Sequence, residues 1–498
     1  MTVSENGEHP RPRAANVPPM TSGTDDTFYQ AMLARDPRFD GKFFVGVKTT
    51  GVYCRPICPA RPKRENVEFF PHATAAERAG YRPCLRCRPE CAPESPAWFG
   101  TSAVVRRALK LIAASGLRGE KETDFARQLG VTPRHLRRLF TAEVGQTPKR
   151  IADNNRLDFA RKLVVETRLP MTDVAQTAGF ASLRRFNAAF KVRFRRPPTR
   201  LRRSVRGMDS STGIELTLAY RPPLDWQALL AFHRTHRLDG IQTLDGDAYE
   251  RLFRIGRSSG FVRVTPAAGG SPRLRVKVTT DNPGVLADVC RRVRRMFDLN
   301  ADPVLIANAL ARVRGLGRMN ARAPGLRVAR GWDPFETAVC TVLGQLVSTE
   351  HASALAGQLI RAYGEEVVHP ITGDPARLFP TAKTLAASDL AAVKTTGKRR
   401  QTIRELSRRV ASGELSFSDA QDPDAFRQVF RTIPGVGPWT AEYVSLRAIG
   451  DTDAFPGMDL VLGRVLREHP ELDPTPVSPW RAYAAVYLWN EFANAERV

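Results

Sequence analysis

Cys54-Arg-Pro-Ile-Cys58 and Cys84-Leu-Arg-Cys87 place two close cysteine pairs 25 residues apart. Five of the seven cysteines fall between Cys54 and Cys91. The first residues, Met1 to Thr24, are Pro-, Gly- and polar-rich and lack an apolar signal-peptide core, so they read as a disordered tail. A cytoplasmic chain keeps its thiols reduced, so these cysteines read as free thiols or metal ligands. Four soft thiolates at this spacing suit tetrahedral Zn2+. Cys91 is a substitute ligand or a spare. On spacing alone, a purely structural zinc knuckle and a reactive site both stay open.

The charge constrains the partners. The 498 residues carry a formal net charge of +25, and 42% are hydrophobic. That length suggests about three globular domains. A chain this basic meets a polyanion, either nucleic acid or an anionic membrane surface. No run of 18 apolar residues occurs, so no membrane span is expected. Residues 101–206 hold 25 Lys/Arg against 8 Asp/Glu, or +17 of the +25. One dedicated DNA-binding domain is therefore expected.

The pattern divides as follows: a tail (1–24), a cysteine domain (25–96), an Arg-rich helical domain (97–206), a linker (207–213), a sheet subdomain (214–300) and a helical domain (301–498). Ile214–Tyr220, Phe261–Thr265 and Leu274–Thr279 alternate as strands do. From about Asp302 the periodicity is helical nearly to the end, broken by Gly/Pro loops. The fold class is multidomain and mainly α: a small α+β zinc domain, an all-α block, and an α+β C-terminal half of antiparallel sheet plus helical bundle.

Around the cysteines, Ala34-Arg-Asp-Pro-Arg-Phe-Asp-Gly41, Thr49-Thr-Gly-Val-Tyr-Cys54, Glu65-Asn-Val67 and Gly80-Tyr-Arg-Pro-Cys84 closely resemble the N-terminal domain of the Ada family. The resemblance implies that Cys54, Cys58, Cys84 and Cys87 bind zinc and that Cys54 accepts a methyl group from a DNA phosphotriester. It also places Arg61 and Arg82 near the DNA phosphate. A zinc-bound thiolate is a ready nucleophile. Four thiolates on Zn2+ carry −2 formally, and methylating one leaves −1, so repair could double as an electrostatic switch.

Thr123-Asp-Phe-Ala-Arg-Gln-Leu-Gly-Val-Thr-Pro-Arg-His-Leu-Arg-Arg-Leu-Phe140 reads as helix, Gly turn, helix, with Thr132 as N-cap and Pro133 at the first helical position. The form recurs at Thr172–Phe190, with Gly179 at the turn and Ser182 as cap. The alternative is a generic bundle with solvated arginines. Two such units about 50 residues apart resemble the AraC-type helix-turn-helix family. That resemblance implies recognition helices in successive major grooves, carrying Arg134, Arg137, Arg138, Arg184 and Arg185. Arg195-Arg196 stand where that family has a Gly, a departure at the last turn.

Phe430-Arg-Thr-Ile-Pro-Gly-Val-Gly-Pro-Trp-Thr-Ala441 reads as a helix end, a tight hairpin and a new helix. Gly435 and Gly437 let backbone N–H groups approach a phosphate at a helix N-terminus. About 20 residues on comes Phe455-Pro-Gly-Met-Asp459. The pair resembles the helix-hairpin-helix glycosylases, and most of all the AlkA-like 3-methyladenine glycosylases. Pro222–Trp226, Met296–Leu299, Asp333–Glu336, Leu343–Ser348, Trp439–Tyr443 and Pro479–Tyr483 share in that likeness.

The resemblance makes Asp459 the catalytic carboxylate; its other reading is an ordinary helix N-cap. Leu346, after Gln345, becomes the wedge that fills the space of an extruded base, and Trp439, Tyr443 and Trp489 the aromatic pocket. Taken singly, such aromatics also read as core. Leu460 replaces a family Tyr. Trp439 stands where lyase-type relatives carry Lys, so no Schiff base is expected. No four-cysteine run marks an iron–sulfur cluster, and no Pro-Cys-His-Arg motif marks a second methyltransferase.

The expectation is a DNA alkylation repair and response protein: a monofunctional glycosylase, a single-turnover methyl acceptor and a transcription regulator. Its partners are alkylated and promoter DNA and RNA polymerase, and it acts as a cytoplasmic, nucleoid-associated monomer. The competing readings are a regulator whose C-terminal half only binds DNA, and a glycosylase whose zinc module only holds structure.

Overall fold

The computed structural model describes residues 22–89, 92–93, 103–115, 121–202, 213–418 and 421–492. Most of the Met1–Thr24 tail, Cys91 and nearly all of the 207–213 linker lie outside them. The chain forms two compact units. One comprises Met1–Asp158 with Arg184–Leu201, the other Phe159–Leu183 with Arg202–Val498. The division falls inside the Arg-rich block and not at its edges.

In the first unit a four-stranded sheet has the order β3-β1-β2-β4. It is built from β1 (Phe44–Val47), β2 (Val52–Cys54), β3 (Val67–Phe70) and β4 (Arg82–Pro83). β1 pairs antiparallel with β2 and β3, while β2 and β4 run parallel. α1 (Ser22–Ala34) begins three residues before the expected domain edge and packs with Phe43, Val45 and Cys54. On the other face, α2 (Ala73–Arg78) packs with Phe44, Tyr53 and Tyr81. Successive strand residues point to opposite faces. Tyr53 and Cys54 therefore serve different layers.

The helical block runs α3 (Ala103–Ser115), α4 (Glu122–Gln128), α5 (Pro133–Glu143), α6 (Pro148–Glu166), α7 (Met171–Thr177), α8 (Leu183–Phe194) and α9 (Pro198–Leu201). Both expected turns occur: Gly130 has φ +71° and Gly179 φ +80°. Thr132 caps α5, its side chain accepting from the His135 N–H at 3.2 Å. Phe125, Leu136 and Phe140 are fully buried. Arg195 has φ +55°. It holds a left-handed conformation, at a cost of about 1–2 kcal/mol for a residue with a Cβ.

In the second unit, β5 (Ile214–Ala219), β6 (Gln242–Asp245), β7 (Ala248–Ile255), β8 (Ser258–Pro266) and β9 (Arg273–Thr280) form an antiparallel sheet. Its order is β5-β9-β8-β7-β6. The three expected strands are present, and β6 and β7 add a hairpin turned at Gly246, φ +51°. β5 is an edge strand, and α6 closes it. Glu166 accepts from the Thr217 N–H at 2.9 Å, Lys162 donates to the Thr217 carbonyl, and the two side chains pair at 2.8 Å. An open edge is a site for unwanted strand pairing, and these side chains occupy it.

The remaining helices are α10 (Trp226–Thr235), α11 (Leu286–Met296), α12 (Pro303–Leu310), α13 (Arg314–Arg322), α14 (Pro334–Leu343), α15 (Thr349–Tyr363), α16 (Ala382–Ala387), α17 (Gly397–Ser412), α18 (Pro423–Phe430), α19 (Pro438–Val444), α20 (Leu460–Glu468) and α21 (Arg481–Phe492). A π-helical turn, Ser445–Ile449, follows α19. One correction concerns the stretch read as helices broken by Gly/Pro loops: it also contains a hairpin of β10 (Glu366–Val368) and β11 (Pro375–Arg377). Gly364 ends α15, and Gly373, φ +77°, makes the turn. Two apolar cores result. One gathers α14, α15, α17, α18 and α19; the other gathers α12, α13, α20 and α21. The Asp459 site lies on the seam between them.

At the hairpin between α18 and α19, Gly435 has φ +87°. Thr402 Oγ1 donates to the Pro434 carbonyl at 2.7 Å. A Cβ on Gly435 would lie 2.2 Å from that hydroxyl. Two expectations follow from these contacts. Gly435→Ala should cost at least about 1–2 kcal/mol from backbone conformation alone, read as an earlier tryptophan-fluorescence transition in urea. Glu166→Ala should strip the edge of β5 of its acceptor and cost about 1–3 kcal/mol, read as faster hydrogen exchange at the Thr217 amide.

Candidate functional site

Cys54 ends β2, Cys58 follows one turn later, and Cys84 and Cys87 follow β4. The Cys84 N–H donates to the Tyr53 carbonyl at 2.9 Å, tying the second cysteine loop to β2. All four sulfurs lie within 4.8 Å of one another. Without a cation such thiols contest their protons. Cys54, as donor to Cys58, Cys84 and Cys87, is pushed far up, while Cys84 is held far down by its bonds with Cys54 and Cys58 and Cys58 is brought to about 7 by its bond with Cys54. A tetrahedral S4 set bound to zinc resolves this, because each thiolate then faces the metal.

The four sulfurs are not equivalent. Cys84 accepts from the Arg86 N–H at 3.4 Å and Cys87 from the Arg55 N–H at 3.3 Å. Among the described residues, no backbone N–H reaches the Cys54 or Cys58 sulfur. An N–H···S bond draws charge from a thiolate and weakens it as a nucleophile, so Cys54 and Cys58 keep the more basic sulfurs. Exposure ranks them differently: Cys54 is 4% exposed, whereas Cys84 and Cys87 are half-buried.

A partner of the loop escaped the sequence reading. Buried Arg55 holds Asp40 through both of that carboxylate's oxygens and donates to the Cys87 carbonyl at 3.2 Å. Arg61 is exposed and Arg82 half-buried, and neither has an ion pair among the described residues.

The helix-turn-helix arginines Arg134, Arg137, Arg138, Arg184 and Arg185 are all exposed. Arg137 is engaged in a bidentate pair with Glu122 at 2.6 and 2.8 Å, which raises its pKa. Exposed pairs of this kind are weak and exchange readily for phosphate. Arg138 lies 3.1 Å from His135 Nδ1.

The second site centres on Asp459. It is the N-cap of α20, its Oδ1 accepting from the Val461 and Leu462 N–H groups at 3.1 and 3.4 Å. It is more than a cap. Trp489 Nε1 donates to Oδ1 at 3.0 Å and Trp439 Nε1 to Oδ2 at 3.2 Å. Oδ1 thus has three donors and Oδ2 one. Trp439 stacks on Tyr443 with centroids 5.3 Å apart, and Tyr443 meets Trp489 at 6.1 Å. The three expected aromatics and the carboxylate form one cluster.

Gln345 Nε2 donates to the Gly435 carbonyl at 2.9 Å and to Thr440 Oγ1 at 3.0 Å, and Arg399 donates to the Gln345 carbonyl. This ties the loop that carries Leu346 to the hairpin. Leu346 has φ +53° and is 95% exposed. A bulky apolar residue held that way in water has its stabilising contact elsewhere. Met458 and Leu460 are 71% and 85% exposed beside Asp459. Leu460 therefore points outward and does not wall the pocket. At Gly437 a Cβ would meet nothing within 4 Å, leaving the start of α19 open.

Three more residues join this cluster without a sequence signal of their own. Arg447, on the π-helical turn, is buried with its guanidinium 4.4 Å from Phe232, 5.2 Å from Trp489 and 5.6 Å from Tyr443. Burial lowers its pKa. Its NH1 donates to the Ala329 carbonyl at 2.7 Å. His236 stacks on Phe232 at 4.2 Å. The aromatic–carboxylate cluster thus rests on a buried cation.

Comparison with known proteins agrees with this layout. Residues 27–90 match the metal binding domain of Ada, residues 125–204 a helix-turn-helix domain, and residues 215–333 the AlkA N-terminal domain. A Mycobacterium tuberculosis protein described as a probable bifunctional transcriptional activator/DNA repair enzyme AlkA is 38% identical over 480 residues, 93% of this chain and 95% of its own. DNA-3-methyladenine glycosylase 2 of Escherichia coli is 30% identical over 284 residues, 55% of this chain and 96% of its own. The E. coli bifunctional transcriptional activator/DNA repair enzyme Ada is 46% identical over 132 residues, 25% of this chain and 34% of its own. With a zinc-binding cysteine cluster, DNA-binding helices and a glycosylase-like half in one chain, this protein belongs to the family of bifunctional Ada/AlkA-type transcriptional activator and DNA repair proteins.

Proposed function

We propose that the C-terminal half is a monofunctional DNA glycosylase that excises alkylated bases such as 3-methyladenine, and that Cys54 accepts methyl groups from DNA phosphotriesters. The observation that carries the first part is Asp459 held by two indoles, one on each oxygen. Cleavage of an N-glycosidic bond leaves positive charge on the sugar, and a fixed carboxylate stabilises it. Neutral N–H donors hold Asp459 in place without cancelling its charge. Oδ2, with one donor, is the oxygen free to face the sugar and the attacking water. The base departs with the bonding electrons, and water supplies the new C–O bond. Trp439 offers no amine, so the product is an abasic site. Leu346 fills the gap that the extruded base leaves in the stack. On this reading the protein acts as a monomer in the cytoplasm, on nucleoid DNA, and contacts RNA polymerase.

For methyl transfer, bound zinc keeps the four sulfurs ionised. The Cys54 sulfur attacks the methyl carbon of the triester, the S–C bond forms as the C–O bond breaks, and a phosphodiester anion leaves. No proton moves. The support is the hydrogen-bond pattern, which leaves Cys54 and Cys58 without a backbone donor, together with the resemblance that makes Cys54 the acceptor. The site's formal charge falls from −2 to −1. At an effective dielectric near 20, one charge about 6 Å from a phosphate is worth roughly 3 kcal/mol before screening. Salt reduces that to about 1 kcal/mol, or about fivefold in affinity.

Asp459→Asn should lose about 10²–10³ in the rate of base release from methylated DNA while retaining DNA affinity; full activity in the folded variant excludes the assignment. Exposure to methylphosphotriester DNA should place one methyl on Cys54, located by mass spectrometry, and tighten promoter binding about fivefold. A methyl on half-buried Cys84 or Cys87 would show instead that exposure selects the acceptor.

A further inference from the structure

Tyr53 precedes the acceptor cysteine on β2 and points to the opposite face of the sheet. Its hydroxyl donates to Glu77 Oε1 at 2.9 Å. Glu77 lies in the last turn of α2, with only 10% of its side chain exposed, and accepts three further bonds, all from the helical block. Arg193 of α8 reaches it at 2.9 Å. Gln146 Nε2 and Asn154 Nδ2 reach Oε2 at 3.0 and 2.9 Å. Arg193 also makes a bidentate pair with Asp158, both bonds at 2.8 Å. Beside this hub Gly145, φ +81°, leaves room for the Arg78 side chain, whose Cδ lies 2.9 Å from where a Cβ would stand. One carboxylate therefore joins the acceptor strand to α6 and to the helix that carries Arg184 and Arg185.

We propose that Glu77 is a positioning residue that transmits the methylation state of Cys54, through Tyr53, to α8. The inference rests on the acceptor reading above. Arg193 pairs with both Glu77 and Asp158, so the hub is a network of buried charges. Methyl transfer at Cys54 removes one unit of negative charge from the residue next to Tyr53 in the chain, and the Tyr53–Glu77 bond carries that change to the network that holds α8. The coupling is local and needs no rearrangement of either core, because a buried ionic hub has few alternative arrangements.

Tyr53→Phe tests this with the loss of one oxygen. Promoter DNA binding is titrated with the full-length zinc-loaded protein before and after stoichiometric methylation, alongside the wild type. The expected result is a single methyl on Cys54 in both proteins, with the wild type's gain of about fivefold cut to about twofold in Tyr53→Phe, the remainder being the direct effect of the lost charge on the phosphate. Glu77→Gln, which keeps the shape of the hub and removes its charge, should reduce the gain as far. It serves as the second variant if Tyr53→Phe loses zinc. A purely structural role would weaken methylated and unmethylated protein alike and leave the gain intact, and that outcome overturns the proposal. So does a full wild-type gain in both variants. Failure of the wild type to take a methyl on Cys54 would instead remove the acceptor reading, so the two failures are distinguishable.

Discussion

Both proposed reactive centres of this chain are anions that must work against a polyanion. The four-thiolate cluster is −2 with zinc bound, and Asp459 carries −1. Duplex DNA repels each of them. The chain meets this constraint at two scales. Globally, a net charge of +25 draws the duplex in. Locally, the anions are held by neutral donors: two backbone N–H groups and two indoles on Asp459, and backbone N–H groups on two of the four sulfurs. Neutral donors fix an anion in place without pairing it off, so its charge stays available to the reaction. A lysine in place of Trp439 would hold Asp459 more tightly and also neutralise it.

The local motifs were legible because they rest on local chemistry. Cysteine pairs, Gly turns and caps such as Thr132 act over a few residues, and each sits where expected. Asp459, Trp439, Tyr443 and Trp489 were legible through family resemblance, and the structure gathers them into one cluster. Its buried ionic framework was not legible. Arg55 and Asp40 are 15 residues apart, Glu77 and Arg193 more than a hundred, and Phe232 and Arg447 more than two hundred. Nothing in the pattern around Arg447 separates a buried guanidinium from a solvated one. The β6–β7 hairpin did carry a signal, Asp245-Gly246, which is a strong turn dipeptide between alternating runs. The β10–β11 hairpin is too short, at three residues a strand, to show a period.

Leu346 and Arg195 show that positive φ has two meanings here. Arg195 occupies a helix-end conformation that a glycine would take freely, and its N–H still bonds the Lys191 carbonyl at 2.8 Å. Local structure maintains it. Leu346 has no comparable support: its side chain is 95% exposed, and the nearby hydrogen bonds serve Gln345. Backbone strain combined with exposed apolar surface is costly in the free protein. Both costs are recovered when the side chain enters an apolar space, and the interior of a base stack is such a space.

Arg447 limits how far cation–π attraction can account for the choice of base. Alkylation at a ring nitrogen makes a base cationic, and electron-rich rings attract cations. In this chain the rings of Phe232, Tyr443 and Trp489 already share a buried guanidinium within 5.6 Å. A cation at one ring lessens that ring's attraction for a second, and the two positive charges repel. The aromatic cluster alone is therefore a weaker trap for a cationic base than its composition suggests. The attraction that remains is Asp459, whose oxygens lie within hydrogen-bond distance of two of the indoles that form the cluster. In the ground state the carboxylate offsets the repulsion from Arg447. On the proposed reading, positive charge moves from base to sugar as the glycosidic bond breaks. The departing base becomes neutral and loses its repulsion from Arg447, while the sugar gains the attraction of Asp459. Both changes favour the transition state over the bound substrate, which is the condition for binding energy to appear as rate.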